Sequence, residues 1–282
     1  MAVRYEVNME KIVVSTGMRR NLVYLKANLV ILWKRVIEYK ANFFMYAIEH
    51  VLYMGSFLFF MDILYNLFFH TLEWDFKDYV LFFVLADWIV AFGGTFCFKT
   101  QHIIEQILRG TFNLHLYRPI NRFLSYLFAD FNLDLAIYAL MNPILHIGAL
   151  IYFEVDLQNV FYGALFWFLI LVLFIALFNF VDSLNLIKVK ITESFDVFLD
   201  TMTFETSRNY PFHFFKSFEN RILLFFIGPL FFVGSLVVPI LRGYDIWNFW
   251  LQAGILLGLI IAFSLGTFIN WRVGLKRYEA FG

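Results

Sequence analysis

Residues 160–187 read VFYGALFWFLILVLFIALFNFVDSLNLI, and the fold follows from that stretch. Its one charged side chain, Asp182, stands near the end. A helix rises about 1.5 Å per residue, so about 20 apolar residues span the hydrocarbon core of a bilayer. This block exceeds that length, and lipid tolerates it because a helix satisfies its own backbone hydrogen bonds. Blocks of the same kind cover residues 43–69, 79–98, 123–153 and 247–271, and only the third of these holds a proline, Pro143.

The whole composition agrees. Of 282 residues, 61% are hydrophobic, 22% aromatic and 16% charged, whereas soluble domains carry about 25% charged and roughly 45–50% apolar residues. The chain therefore reads as an all-α, polytopic membrane protein: a cytoplasmic N-terminal segment, 1–42, then one membrane domain, 43–282, without internal repeats. Formal charge is zero, so no global field favours nucleic acid or an acidic substrate. The single cysteine, Cys97, lies in an apolar block and reads as a buried small hydrophobe.

Residues 1–40 show no cleavable signal peptide. Within them, Leu22, Leu25, Leu29, Leu32, Trp33 and Val36 recur at three- and four-residue spacing, while Lys26, Lys34, Arg35 and Lys40 fall mostly elsewhere. That pattern predicts a basic amphipathic helix over 19–40, lying at the membrane interface or forming the first turns of a long first span.

The segment 188–246 offers two candidates for a further crossing. Residues 222–241 are apolar but contain Gly228, Pro229, Gly234 and Pro239, which suit a broken or re-entrant helix pair as well as a straight span. Residues 191–207 form a more polar helical stretch ended by Tyr210-Pro211. Parity permits only one crossing here if both termini share a side. With the N-terminus inside, 17 of the 22 Lys and Arg fall on inside segments, which places both ends in the cytoplasm by the positive-inside rule.

Enzyme signatures are absent from the sequence. There is no G-x-x-x-x-G-K-[ST] loop to cradle phosphates and no H-E-x-x-H. His102 and Glu105 share a helical face but supply two ligands where a catalytic zinc needs three. No catalytic, cofactor-binding or metal-binding residue is assigned. Ionisable residues do occur in or near the spans: Glu49, His50, Asp62, Asp87, Asp130, Asp134 and Asp182. Such groups face other helices or water, because a charge at mid-bilayer costs about 2.5–3.5 kcal/mol. Asp87, at mid-span, is the strongest candidate for a translocation path; Asp62, Asp130 and Asp182 lie near span ends, where structural roles suffice. In the polar stretch, Glu193, Asp196, Asp200, Thr203 and Ser207 fall on one helical stripe, which suits the border of a hydrated cavity or a solvated surface.

The inner loop 99–122 is too apolar for a free linker. A helix continues through Ile107 and Leu108, stops at Arg109-Gly110, and leads into Phe112, Leu114 and Leu116 before Arg118-Pro119. A partner surface would cover such a loop.

Here the sequence resembles the type 2 membrane subunits of ATP-binding-cassette exporters. Leu108-Arg109-Gly110 followed by Asn113 to Pro119 resembles that family's signature loop, with a departure at Thr111-Phe112-Asn113, where the family more often has an acidic residue. Asp130 to Asp134 is similar to its acidic patch at the third span, Arg208-Asn209-Tyr210-Pro211 to its Arg-Tyr-Pro corner, and the ending from Trp271 to Gly282 to its Gly-Leu-x-Arg-Tyr terminus. The resemblance implies six spans, with the polar helix before Tyr210-Pro211 as the fifth and residues 212–241 as an outer re-entrant pair. It also implies a second permease, identical or homologous, and two separate ATPase subunits holding ATP and Mg. Glu105, Arg109, Gly110, Leu114, Leu116, Arg118 and Pro119 would form the ATPase-coupling loop, and Asp87, Glu193, Asp196, Asp200 and Thr203 the path, in a permease of the cell membrane. A stand-alone ion-coupled transporter or channel, and a lipid-modifying enzyme built on His102 or His50, are the competing readings. The aromatic wealth leans toward a greasy substrate.

Overall fold

The structure, a computed structural model, describes residues 17–38, 40–66, 74–97, 106–107, 109–128, 132–187, 225 and 228–277. Among the described residues every regular element is helical: α1 Gly17–Glu38, α2 Lys40–Leu64, α3 Phe76–Cys97, α4 Asn113–Leu116, α5 Arg122–Leu127, α6 Leu133–Tyr152, α7 Leu157–Asn185, α8 Val238–Arg242 and α9 Phe249–Arg277. Five of these, α2, α3, α6, α7 and α9, are long and apolar enough to cross a bilayer.

α3 is the hub. Of its most apolar stretch 78% is buried inside the protein, against 11% for α2, so α3 faces helices and α2 presents Phe44, Met45, Leu52 and Phe59 outward. The close approach of α3 to α7 depends on Gly93, where a Cβ would meet Phe174 Cδ1 at 2.5 Å.

Pairwise contacts fix the direction of each span. α2 and α6 run the same way: Tyr46 meets Tyr138, and His50 meets Asn142 one turn on. α3 opposes both, since Phe57 stacks on Phe83 while His50 stands by Asp87. α7 runs with α3, pairing Trp167 with Leu85 and Phe174 with Gly93. α9 in turn runs with α7: Phe166 meets Phe249, Phe180 meets Phe263, and Asn270 donates to Ser183 at 3.0 Å.

The third span begins later than the apolar pattern suggests. Residues 123–153 read as one block, but Asn132 caps α6 by accepting from the N–H groups of Asp134 and Leu135, at 3.1 and 3.3 Å. The earlier part forms α5, capped by Asn121, which accepts from Leu124 N–H at 3.2 Å. Side-chain oxygens at these two points compete successfully with helix continuation.

Residues 222–241 do not wind as a straight span among the described residues, because Pro229 and Leu230 sit in a turn. Past it, Val233–Val237 forms a π-turn leading into α8. Pro239 has no N–H for the Ser235 carbonyl and its ring crowds that carbonyl, which accounts for the widened turn. Leu230 to Val233 and Leu236 to Val238 are fully buried against α3 and α7. Gly243, at φ 70°, ends α8. There Arg242 Nε donates to Asp78 Oδ1 at 2.9 Å and Nη2 lies 3.7 Å from Asp75, tying this end to the start of α3. The polar stretch 191–207 lies outside the described residues.

Candidate functional site

Two constructions stand out. The first closes the end of the bundle where α3 finishes and α6 begins. Gly110, at φ 69°, adopts a left-handed backbone that costs other residues about 1–2 kcal/mol. The chain reverses there, and Phe112 N–H bonds the Gln106 carbonyl across the glycine at 3.1 Å. The reversal drives Phe112 into an aromatic cluster with Tyr126 of α5 and Trp271 of α9, at ring distances of 6.0 and 6.1 Å. Ile107, Leu186 and, at the edge, Leu116, Phe123 and Leu275 complete it. The other side is tied to α1: Arg118 Nη1 donates to the Tyr24 hydroxyl, which donates to the Ser125 carbonyl at 3.3 Å, and Asn121 N–H donates to Asn21 Oδ1 at 3.1 Å. Residues 109–128 therefore form a knob fixed on two sides, while Leu114 and Tyr117 are 62% and 82% exposed.

Gly274 seats this knob. A Cβ there would stand 2.5 Å from Leu186 Cβ and 3.3 Å from Leu186 backbone atoms, which cannot swing away. Gly274→Ala is expected to destabilise the protein by about 1–3 kcal/mol, read as a lower melting temperature in detergent; an unchanged midpoint would show that α7 and α9 adjust freely.

His115 lies buried in the knob beside Phe112 and Tyr126. Burial first, and the Arg118 charge second, hold its imidazole below the ordinary histidine value, against the opposing effect of a hydrogen bond that the ring donates to the Ser125 carbonyl. The unfolded chain then binds the proton more readily, so the contribution to stability present above about pH 6.5 is lost as pH falls toward the folded value. Melting midpoints are expected to fall more steeply below that pH in the native protein than in His115→Gln. Parallel curves would remove His115 from the account of acid sensitivity.

The second construction lies within the membrane domain, where α2, α3 and α6 meet. Asn142 Nδ2 donates to Asp87 Oδ2 at 3.1 Å, and Asn142 Oδ1 stands 2.8 Å from His50 Nε2. The Asn142 amide turns its NH2 to the Asp87 carboxyl and presents its oxygen to the His50 ring. His50 also lies 3.8 Å from Asp87 and stacks on Tyr138 at 4.7 Å. All three polar groups are buried. Beside them opens a cavity of about 260 Å³.

A sequence model of the family described as ABC-2 family transporter protein matches residues 50–282. The chain belongs to the ABC-2 family of membrane permeases. None of the curated proteins matches it. The ABC-2 match covers the knob at 109–128 and the His50–Asn142–Asp87 chain, and makes the chain a membrane transport subunit, of a family that works with separate ATPases.

Within this permease the sequence-derived candidates separate. Asp87 is buried in the polar chain, whereas Glu193, Asp196, Asp200, Thr203, Glu105, His102 and Asp130 lie outside the described residues. Arg109, Leu114 and Pro119 face outward, while Leu116 and Arg118 are partly buried, Leu116 at the aromatic cluster and Arg118 against Tyr24. Asp62 is exposed and Asp182 buried. Sequence reasoning missed Asn142 and Tyr138. The available signal was an amide directly before Pro143 in an apolar block, with a tyrosine four residues earlier on the same face.

Proposed function

We propose that this permease forms the substrate path of an exporter driven by a separate ATPase, which grips the knob at residues 109–119. The observation that carries the reading is the pairing of exposed apolar side chains, Leu114 and Tyr117, with a base locked to α1 and α9. Exposed apolar groups on a rigid mount suit a partner surface, and a rigid mount passes a push on the knob directly to the spans.

Six spans fit the described directions. α7 and α9 run the same way, which supports a single return crossing between them. Val233–Arg242, the apolar helical piece found there, is too short to cross, which favours 191–208 as the fifth span and residues 212–241 as a re-entrant pair. Leu22, Leu29 and Trp33 of α1 are exposed, which suits a helix lying on the inner interface. Both termini are cytoplasmic, in a permease of the cell membrane. Two permeases, copies or homologues, pair there, and ATP and Mg sit on the ATPases. The path runs past Asp87 and the stripe of Glu193, Asp196, Asp200 and Thr203.

The test is a tagged chain extracted in mild detergent from its own cells. The expected preparation contains an ATP-binding-cassette subunit and hydrolyses ATP; preparations that never contain one overturn the proposal. The His50–Asn142–Asp87 chain favours one second reading, an ion-coupled carrier, which liposomes would reveal by uptake on a pH gradient without ATP.

A further inference from the structure

We infer that the groove between α7 and α9, at the knob end of the bundle, holds an anionic phospholipid, with an acyl chain along the helices and its phosphate on Arg122 and Arg272. The groove has a volume of about 520 Å³, within the range of about 300–1,000 Å³ usual for ligand sites. α7 supplies Ile175, Ala176 and Asn179, α9 supplies Thr267, Phe268 and Trp271, and α5 closes one side. The donors of its polar members are already spent: Asn179 Nδ2 donates to the Ile175 carbonyl and Thr267 Oγ1 to the Phe263 carbonyl, both at 2.8 Å. With those bonds made inside each helix, the groove suits hydrocarbon.

Positive charge collects at one end. Arg272 is exposed, and its guanidinium lies 4.1 Å from the centre of the Phe268 ring. Lys276 is exposed one turn further along α9. Arg122 is exposed between Asn121 and Phe123, which both line the groove. The Phe123 and Trp271 rings meet at 5.3 Å, which brings positions 122 and 272 to one rim. Among the described residues no Asp or Glu lines the groove, and no carboxylate pairs with either arginine. A guanidinium fork matches phosphate oxygens, and basic groups at the ends of membrane helices bind anionic headgroups. A zwitterionic headgroup would bring its own ammonium toward the same cations, so a net negative one is favoured. A second copy offering the same face, across a two-fold axis along the membrane normal, would set like charges against each other at one depth. On the transport reading above, the leaflet concerned is the cytoplasmic one; the lipid site stands whichever side it faces.

The experiment offers the full chain, in mild detergent, dioleoylphosphatidylglycerol and dioleoylphosphatidylcholine, which share acyl chains and differ in headgroup. Native mass spectrometry then counts the lipids retained. Retention is expected to favour phosphatidylglycerol by about tenfold, and Arg122→Gln with Arg272→Gln should bring the ratio down to about one. Both side chains are exposed, so the double variant is expected to fold. A benzophenone amino acid in place of Phe268 gives the location: irradiation should join it to one phosphatidylglycerol, and excess inorganic phosphate should not prevent this. Equal retention of the two lipids, or a preference unchanged in the double variant, overturns the inference. So does a crosslink from position 268 to a second copy, or to residues 191–208, in place of lipid. The lipid preference needs no ATPase in the preparation, so a missing ATPase would overturn the transport reading alone, and a missing preference the lipid site alone.

Discussion

Asn142→Leu is expected to lower the stability of the purified permease by about 2 kcal/mol, more than its loss of one hydrogen bond suggests. Hydrogen bonds between helices in lipid average only about 0.6 kcal/mol, because the separated helices also find partners. The difference here is the charge. Asn142 is fully buried and donates to Asp87, so the leucine leaves a buried carboxylate without that donor, a situation that costs more than a neutral pair returns. His50 Nε2 loses its partner in the same step. The double variant Asp87→Leu with Asn142→Leu removes charge and donor together and should regain about 1–2 kcal/mol relative to the sum of the single changes. Thermal or denaturant midpoints in detergent give all three values. Strict additivity would mean that the pair is not coupled and that Asp87 is held by other groups.

Trp271→Ala should have the largest effect at the knob. Trp271 is buried among Phe123, Tyr126 and Phe112 at 5.3, 5.5 and 6.1 Å, and truncating a buried tryptophan typically costs about 3–5 kcal/mol. The loss falls on the contact that holds the knob to the last span. The variant is therefore expected to release the knob, with ATPase retention in mild detergent falling at least tenfold while the other spans stay assembled. Trp271→Phe keeps the ring contacts and should retain most of the complex. Full retention by the alanine variant would show that the aromatic cluster does not mount the ATPase.

The spans were legible because lipid imposes one rule on all of them: length and apolarity. Residues 160–187 anticipate α7 at Leu157–Asn185 within a few residues. The rule fails where local chemistry intervenes. Asn132 and Asn121 break one apolar block into two helices, and the turn at Pro229–Leu230 and the π-turn before Pro239 interrupt another among the described residues. The signature loop was legible as residues but not as a shape. Gly110 and Gly274 gain their meaning only from a left-handed turn and a 2.5 Å approach to Leu186. Asp87 stood out as a lone mid-span charge, yet its partners come from two other helices, and no spacing within one segment connects His50, Asp87 and Asn142.

The most direct measurement is site-specific photo-crosslinking in living cells, with a benzophenone amino acid at Leu114 on the knob and, separately, at Trp250, exposed at the opposite end of the bundle. The expected result is an adduct between position 114 and an ATP-binding-cassette subunit, with none from position 250. An adduct from 250 alone, or no adduct from 114 in cells that make the whole transporter, would contradict the claim that this permease is driven through its knob.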